Sequence, residues 1–364
     1  MMFAKLKKLN FLFLFIIILL SIIGFFALYS AAGGSYDPWA KKHFIRLIIA
    51  LIILLSIVLI DIKFFYKQAY TFFLLSLLLL ILVEFAGTFG LGAKRWINFY
   101  GLSIQPSELI KVTIIIALSR YYHDLKFENI GKIINLLFPL FIIFVPFLFV
   151  LIQPDLGTSL MILILGVSIM FISGVRIWKF FLSLILSLIA MPLIWNNLES
   201  YQHRRILAFL NPESDPLGAG YHLIQSKIAL GSGGVAGKGY LQGTQSYLEF
   251  LTEKQTDFIF TLIGEEFGFI GLIFILILFF LLIIISYYIS LKSTHVFGKI
   301  LSIGISINLF LYVFLNTSMV TGLIPIVGVP LPLISYGGTA ILSIMISFGL
   351  LMNVSIHSNL KKLN

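Results

Sequence analysis

Asp257 is the residue whose type and position most demand a chemical reason. It stands in Glu253-Lys254-Gln255-Thr256-Asp257-Phe258-Ile259-Phe260, at the predicted first turn of a long apolar helix. A charge at the centre of a membrane helix costs about 2.5 to 3.5 kcal/mol and less near the interface, so an acid held there marks a functional site by default. Such a carboxylate can serve as a general base or as a ligand to a divalent cation such as Mg or Mn. Glu108 and Lys111 form a second ionisable set, in Gln105-Pro106-Ser107-Glu108-Leu109-Ile110-Lys111. Pro106 suits a first helical turn, and the three-residue spacing puts acid and ammonium on one face, so they should pair. The pair either makes both charges tolerable in lipid and staples its helix to a neighbour, or lines a polar cavity open to the outer surface; both can hold.

Further candidates carry two readings each. Arg95 and Trp96, after Lys94, are either an interfacial belt with snorkelling neighbours or a grip on phosphate oxygens. Asp155, in Gln153-Pro154-Asp155-Leu156-Gly157-Thr158, is either the N-cap of the next helix or a substrate ligand. His203, Arg204 and Arg205 are either a headgroup-binding patch or a solvated basic face. Of Glu265 and Glu266, adjacent in sequence, at most one should share a face with Asp257, and each is expected to pair with Lys or Arg. The Gly-rich runs at residues 231–234 and 237–239 match no nucleotide fingerprint and are expected to be flexible turns that let a loop fold back over a cavity. The histidines show no metal-ligand spacing.

The elements that position these residues follow from composition. Hydrophobic residues are 60% of the 364 and charged residues 11%, more apolar surface than a water-soluble domain can bury, whereas runs near twenty residues span a bilayer. The expectation is an all-α polytopic membrane protein. Ten spans are predicted, at 11–30, 44–60, 69–86, 106–121, 134–151, 157–174, 177–195, 258–289, 298–320 and 338–356, with one large polar loop, about 196–256, between spans 7 and 8. Residues 1–364 are expected to form a single membrane domain. Fourteen Lys/Arg fall in segments on one side and four in the short loops of the other. That bias predicts cytoplasmic termini and explains the net charge of +10 without nucleic acid. The polar clusters then fall on the outer side, and a substrate processed at the outer leaflet is implied. The absence of cysteine leaves the redox compartment open.

Residues 221–234 (Tyr-His-Leu-Ile-Gln-Ser-Lys-Ile-Ala-Leu-Gly-Ser-Gly-Gly), 256–260 (Thr-Asp-Phe-Ile-Phe), 105–108 (Gln-Pro-Ser-Glu) and 330–338 (Pro-Leu-Pro-Leu-Ile-Ser-Tyr-Gly-Gly) together resemble the SEDS family of peptidoglycan polymerases. The similarity runs over essentially the whole chain. Residues 211–220 and 328–330 resemble its elongation branch more than its division branch. The resemblance implies a glycosyltransferase that polymerises lipid II at the outer face of the cytoplasmic membrane, with undecaprenyl diphosphate as leaving group. It implies Asp257 as the essential acid, and Glu108, Lys111, Arg95 and Trp96 as residues of the family's cavity. Arg204, Arg205, Asp155 and Lys227 join them as substrate-binding candidates. The implied partners are lipid II, a class B penicillin-binding protein that crosslinks the glycan, and the elongation machinery. Spans 8 and 9 and the outer loop are the expected surface for that partner; Gly298, Ser302, Gly304, Ser306 and Asn308 either make span 9 its docking helix or pack that span within the protein. A lipid II flippase or other transporter, and a non-catalytic scaffold, are the rival classes.

Overall fold

The computed structural model describes residues 9–358 except 91–92, 100–101, 197–199, 216–217 and 249. Its helices are α1 Phe11–Ala31, α2 Ala40–Leu59, α3 Ala69–Ala86, α4 Pro106–Asp124, α5 Leu137–Ile152, α6 Leu156–Ile172, α7 Ile177–Asn196, α8 Ser200–Leu210, α9 Ala219–Gly233, α10 Ile259–Lys292, α11 Val296–Thr321 and α12 Gly338–Ile356. The ten predicted spans correspond to α1–α7 and α10–α12. Six helical segments are long and apolar enough to cross a membrane, and three shorter apolar ones accompany them. The core is built on α11 and α12, which are the most enclosed of the spans. α12 packs along α2, and α11 packs against α10, α4 and α6. α7 exposes nearly all its length and lies at the edge.

Local chemistry sets the ends. Pro106 opens α4, where its missing N–H removes no helical bond. Nδ1 of His295 accepts from the Gly298 N–H at 2.8 Å and caps α11. That helix stops at Gly322, whose left-handed φ of 76° favours glycine.

The structure bears out the all-α bundle and adds three features to it. The first is a small antiparallel sheet, β1 Thr88–Gly90, β2 Ala93–Phe99 and β3 Leu102–Ile104, in the connection between α3 and α4. The second is that the loop at 196–256 contains the helices α8 and α9. The third is a break in span 8: Gly268 in α10 has φ 65° and ψ −163°.

The glycine-rich run after α9 answers that break. A break frees backbone groups that lipid cannot satisfy. Here Phe269 and Ile270 donate to the carbonyls of Gly234 and Val235 at 2.9 and 3.1 Å, while the carbonyls of Glu265 and Glu266 accept from Lys238 and Gly239 at 3.0 Å each. Residues 234–239 are therefore a docked plug, not a flexible turn. Contact is so close that a Cβ on Gly237 would lie 2.1 Å from the Glu266 carbonyl oxygen. Glu265 pairs with Lys238 at 2.7 Å, as expected for a cation partner. Glu266 instead takes the Ser30 hydroxyl. Both carboxylates are turned into residues 237–245 and the start of the bundle, away from any shared face with Asp257.

The small-residue stripe on α11 also faces inward. A Cβ on Gly304 would meet Ile115 at 2.6 Å and Ile169 at 3.3 Å, and Ser302 and Asn308 are buried. The stripe packs α11 onto α4 and α6, so it is not a docking face; Phe310 and Phe314 are among the exposed residues of this helix.

Gly237→Ala combines a left-handed φ of 83° with a backbone clash, and it should cost at least about 2 kcal/mol. Gly231→Ala is the control, because nothing lies within 4 Å of its Cβ. Thermal unfolding in detergent should show a clear drop for the first and none for the second; equal melting curves would mean the plug is not needed.

Candidate active site

Asp257 sits in a turn whose backbone is fixed at every residue. Glu253 adopts φ 57°, and its carbonyl accepts from the N–H groups of Thr256, Asp257 and Phe258 at 3.1, 3.2 and 3.3 Å. Its carboxylate accepts from Thr256 Oγ1 at 3.1 Å and from Gln255 Nε2 at 3.2 Å. The segment between α11 and α12 bolts this turn from outside. Tyr336 N–H donates to the Gln255 carbonyl at 2.8 Å, and Ser335 Oγ donates to that of Thr256 at 2.6 Å. Asn316 Nδ2 donates to the Asp257 carbonyl at 3.0 Å and to that of Val329 at 2.7 Å. Phe258 is the N-cap of α10, so Asp257 precedes the helix instead of lying in its first turn. A Cβ on Gly328 would stand 3.3 Å from Asp257 Oδ2, and Gly328 has φ 70°; glycine there lets the chain pass beside the carboxylate.

Asp257 is part-exposed, yet surrounding protein strips most of its hydration. That desolvation, and then the Glu253 carboxylate, push its pKa up to about 7; Arg205 pulls it down, Asp155 adds to the rise and Arg95 again opposes it. An acid poised there changes charge near neutrality, which suits a general base.

The small sheet sorts the residues beside the acid. Successive strand residues point to opposite faces, so Arg95 and Trp96 on β2 diverge. Arg95 donates its Nε to the Gln153 carbonyl at 3.1 Å and Nη2 to that of Pro154, and Nη1 lies 4.0 Å from Asp155 Oδ2. Much of its hydrogen-bonding capacity therefore braces the turn before α6. Trp96 instead lines a polar cleft of about 440 Å³ with Trp39, Arg46, Asn98, Glu253 and Gln255 among its walls. Arg46 stacks its guanidinium 4.7 Å over the Tyr336 ring. Sequence reading singled out neither Arg46 nor Trp39. The available signal was an arginine inside the predicted apolar span 44–60, the same anomaly that flagged Asp257.

Glu108 and Lys111 do pair, at 2.7 Å, but they lie beneath the surface. Both are buried, the hydroxyl of Tyr312 on α11 contacts each of them, and Ser343 on α12 donates to Glu108 at 3.2 Å. The cluster joins α4 to α11 and α12, and in this conformation it does not line an open cavity. Asp155 is the N-cap of α6, accepting from Thr158 N–H at 3.1 Å; its other oxygen takes Gln105 Nε2 at 3.4 Å. It is close enough to act electrostatically on Asp257 and on Tyr312, so capping and site membership coexist.

Arg205 on α8 acts on Asp257. Arg204 belongs to the same helix, but its side chain lies outside the described residues. Lys227 is exposed on α9, its Nζ 2.6 Å from where a Cβ on Gly322 would lie, at the negative end of α11. Among the described residues no group of three or more His, Asp or Glu could hold a metal ion. A divalent cation at Asp257 would have to draw most of its oxygens from a bound substrate and water.

Replacing Glu108 or Lys111 singly with Ala strands a buried charge and should cost about 3–5 kcal/mol, while the double replacement should cost less than the sum. A double-mutant cycle on unfolding in detergent reads this directly, and strict additivity would show that the two act separately.

Comparison with known proteins shows the family. The FtsW/RodA/SpoVE family model, described as cell cycle protein, matches residues 10–360. The peptidoglycan glycosyltransferase MrdB of Escherichia coli K12 is 39% identical over 350 residues, 94% of this chain and 92% of that protein. A probable peptidoglycan glycosyltransferase FtsW of Trichlorobacter lovleyi is 34% identical over 365 residues, 96% of this chain and 94% of that one. Among solved structures, a chain of a peptidoglycan synthase complex that coordinates polymerization and crosslinking superposes with TM-score 0.84 at 26% identity, covering 96% of this chain and 98% of that chain. The rod shape determining protein RodA of Thermus thermophilus shares the fold, with TM-score 0.73 at 24% identity over 97% and 98% of the two chains. The chain belongs to the FtsW/RodA/SpoVE family, the SEDS proteins that its motifs resemble.

Proposed function

We propose that this protein is a peptidoglycan glycosyltransferase that polymerises lipid II at the outer face of the bacterial cytoplasmic membrane during cell elongation. The observation that carries the chemistry is Asp257, a desolvated carboxylate on a fixed backbone turn whose neighbours Gln255 and Thr256 line the polar cleft. In the reaction the 4-hydroxyl of the acceptor sugar attacks the anomeric carbon of the donor. Its proton passes to the Asp257 carboxylate, the bond from that carbon to the diphosphate oxygen breaks, and undecaprenyl diphosphate leaves with the electron pair. One base suffices, because the leaving group departs without a proton, and a single displacement inverts the anomeric centre. Arg205, Arg46 and the free edge of Arg95 are the cations suited to the developing charge on the diphosphate. The indoles of Trp39 and Trp96 give the cleft flat faces on which sugar rings can stack.

The excess of Lys and Arg in the connections at the end of the bundle opposite Asp257 supports cytoplasmic termini. The partner that fits is a class B penicillin-binding protein with a single membrane anchor, which would crosslink the emerging glycan. Exposed Phe269, Ile270, Phe274, Phe310 and Phe314 on α10 and α11 form the surface that supports its docking.

One observation favours transport as a second reading, since discontinuous helices frame the sites of many transporters and α10 is broken. Its freed backbone groups, however, are taken by residues 234–239 rather than left to line a cavity.

Purified protein given lipid II should form glycan polymer, and Asp257→Asn should lower the rate by about 10²–10⁴-fold with normal folding. Near-normal polymer from the asparagine variant would remove the acid from this role and favour the scaffold or transport reading. The wild-type rate should also carry an ionisation near pH 7. A raised carboxylate pKa keeps the proton on until neutrality, so the base form, and activity, are present above about 7 and lost as pH falls through it. A flat profile from pH 6 to 8 would contradict the assignment.

A further inference from the structure

At the end of the bundle opposite Asp257, the inner ends of α4, α6, α10 and α11 enclose a second pocket, of about 410 Å³. Its polar side is formed by Tyr122, His123, Ser173, Ser290 and Lys299. Tyr122 is 2% exposed, and among the described residues its hydroxyl has no hydrogen-bond partner; nor has Nδ1 of His123. Leaving a buried hydroxyl unsatisfied is costly, so an unpartnered donor facing a pocket points to a ligand. The two serines are not the unmet groups, because Ser173 Oγ donates to the Ile169 carbonyl at 2.7 Å and Ser290 Oγ to that of Lys299 at 3.0 Å.

The remaining walls are apolar, with Phe127, Ile172, Leu291, Val296 and Ile303 among them. Several of these continue onto the exposed hydrophobic surface of the bundle. Lys299 is the cation in the pocket lining. Lys179 Nζ donates to the carbonyl of Gly131, next to the lining residue Ile130, at 2.5 Å, Arg176 lies 3.4 Å from where a Cβ on Gly131 would stand, Lys126 precedes the lining residue Phe127, and Lys292 ends α10 beside Leu291. The acids nearby are Glu128 and Asp124, and Asp124 already faces Arg120 at 3.7 Å.

We propose that this pocket binds an anionic phospholipid. Its phosphate would accept from Tyr122 Oη, His123 Nδ1 and the Lys299 ammonium, and its acyl chains would lie along Ile172, Leu291 and Val296. Charge complementarity selects an anionic headgroup over a zwitterionic one, and the apolar walls select a lipid over a free anion. The ligand would clamp the far ends of the four helices whose outer ends carry Glu108 and Lys111, Asp155, Asp257 and Tyr312.

The test uses the full-length protein in nanodiscs of phosphatidylcholine with added phosphatidylglycerol. Retained lipid is read by native mass spectrometry, and thermal stability is read in parallel. The wild type should retain phosphatidylglycerol preferentially and melt higher with it. Lys299→Gln, at an exposed position, should lower that retention about five-fold, the worth of one basic group near an anionic surface. Tyr122→Phe, which removes the donor but keeps the ring, should lower it as well. Equal retention of phosphatidylcholine, or retention unchanged in both variants, would overturn the proposal. So would an equal rise in melting temperature with inorganic phosphate alone, which would assign the pocket to a small anion.

Discussion

Hydrocarbon offers no hydrogen-bond partners, and the break in α10 is where that constraint bears hardest on this fold. A helix interrupted at Gly268 exposes amides and carbonyls that must find partners within the protein. Residues 234–239 supply them, through glycines that allow backbone to touch backbone. The same docking ties the helix α9 and the long segment between α7 and α10 to the first turns of α10, soon after Asp257. The acid is thus held from two directions, by the plug below and by residues 328–336 beside it. Geometry of this kind suits proton abstraction, because a general base works only within hydrogen-bond reach of the proton it takes.

Electrostatics divides the site into two levels. At the end of the bundle that holds the cleft, Asp257, Arg205, Arg46 and the edge of Arg95 remain within reach of solvent or a substrate. Beneath them, Glu108, Lys111 and Tyr312 form a closed set in which each charge makes the other tolerable. Asp155 lies between, capping α6 while influencing both levels. The upper groups can therefore respond to a ligand's charge while the lower set keeps α4, α11 and α12 in register.

Sequence reading located the spans to within a few residues because apolar runs near twenty long admit no other structure in a bilayer. It also singled out Asp257 as a candidate and predicted the pairing of Glu108 with Lys111, since ionisable groups in apolar surroundings and helical spacing are both local signals. It missed what depends on distant contacts. The break at Gly268 follows the acid pair Glu265 and Glu266, but the backbone that answers it, residues 234–239, is remote in the chain. The glycines at 231–239 looked flexible because their partner, the α10 backbone, is remote in the chain. The small residues of α11 looked like a docking stripe because sequence cannot say which face of an apolar helix meets protein and which meets lipid. Arg46 was overlooked although its signal was present.

Arg95 and Trp96 are neighbours in the chain but serve opposite faces of β2, one bracing the turn before α6 and the other lining the cleft. The spacing between them is a matter of parity. Sliding the strand by one residue would exchange their positions, withdrawing the indole from the cleft and the guanidinium from the turn, whereas a shift of two would keep each face's character. Length variation in the connection between α3 and α4 should therefore be accepted in even steps or in the turns of the hairpin. A single inserted residue within β2 would undo both functions at once.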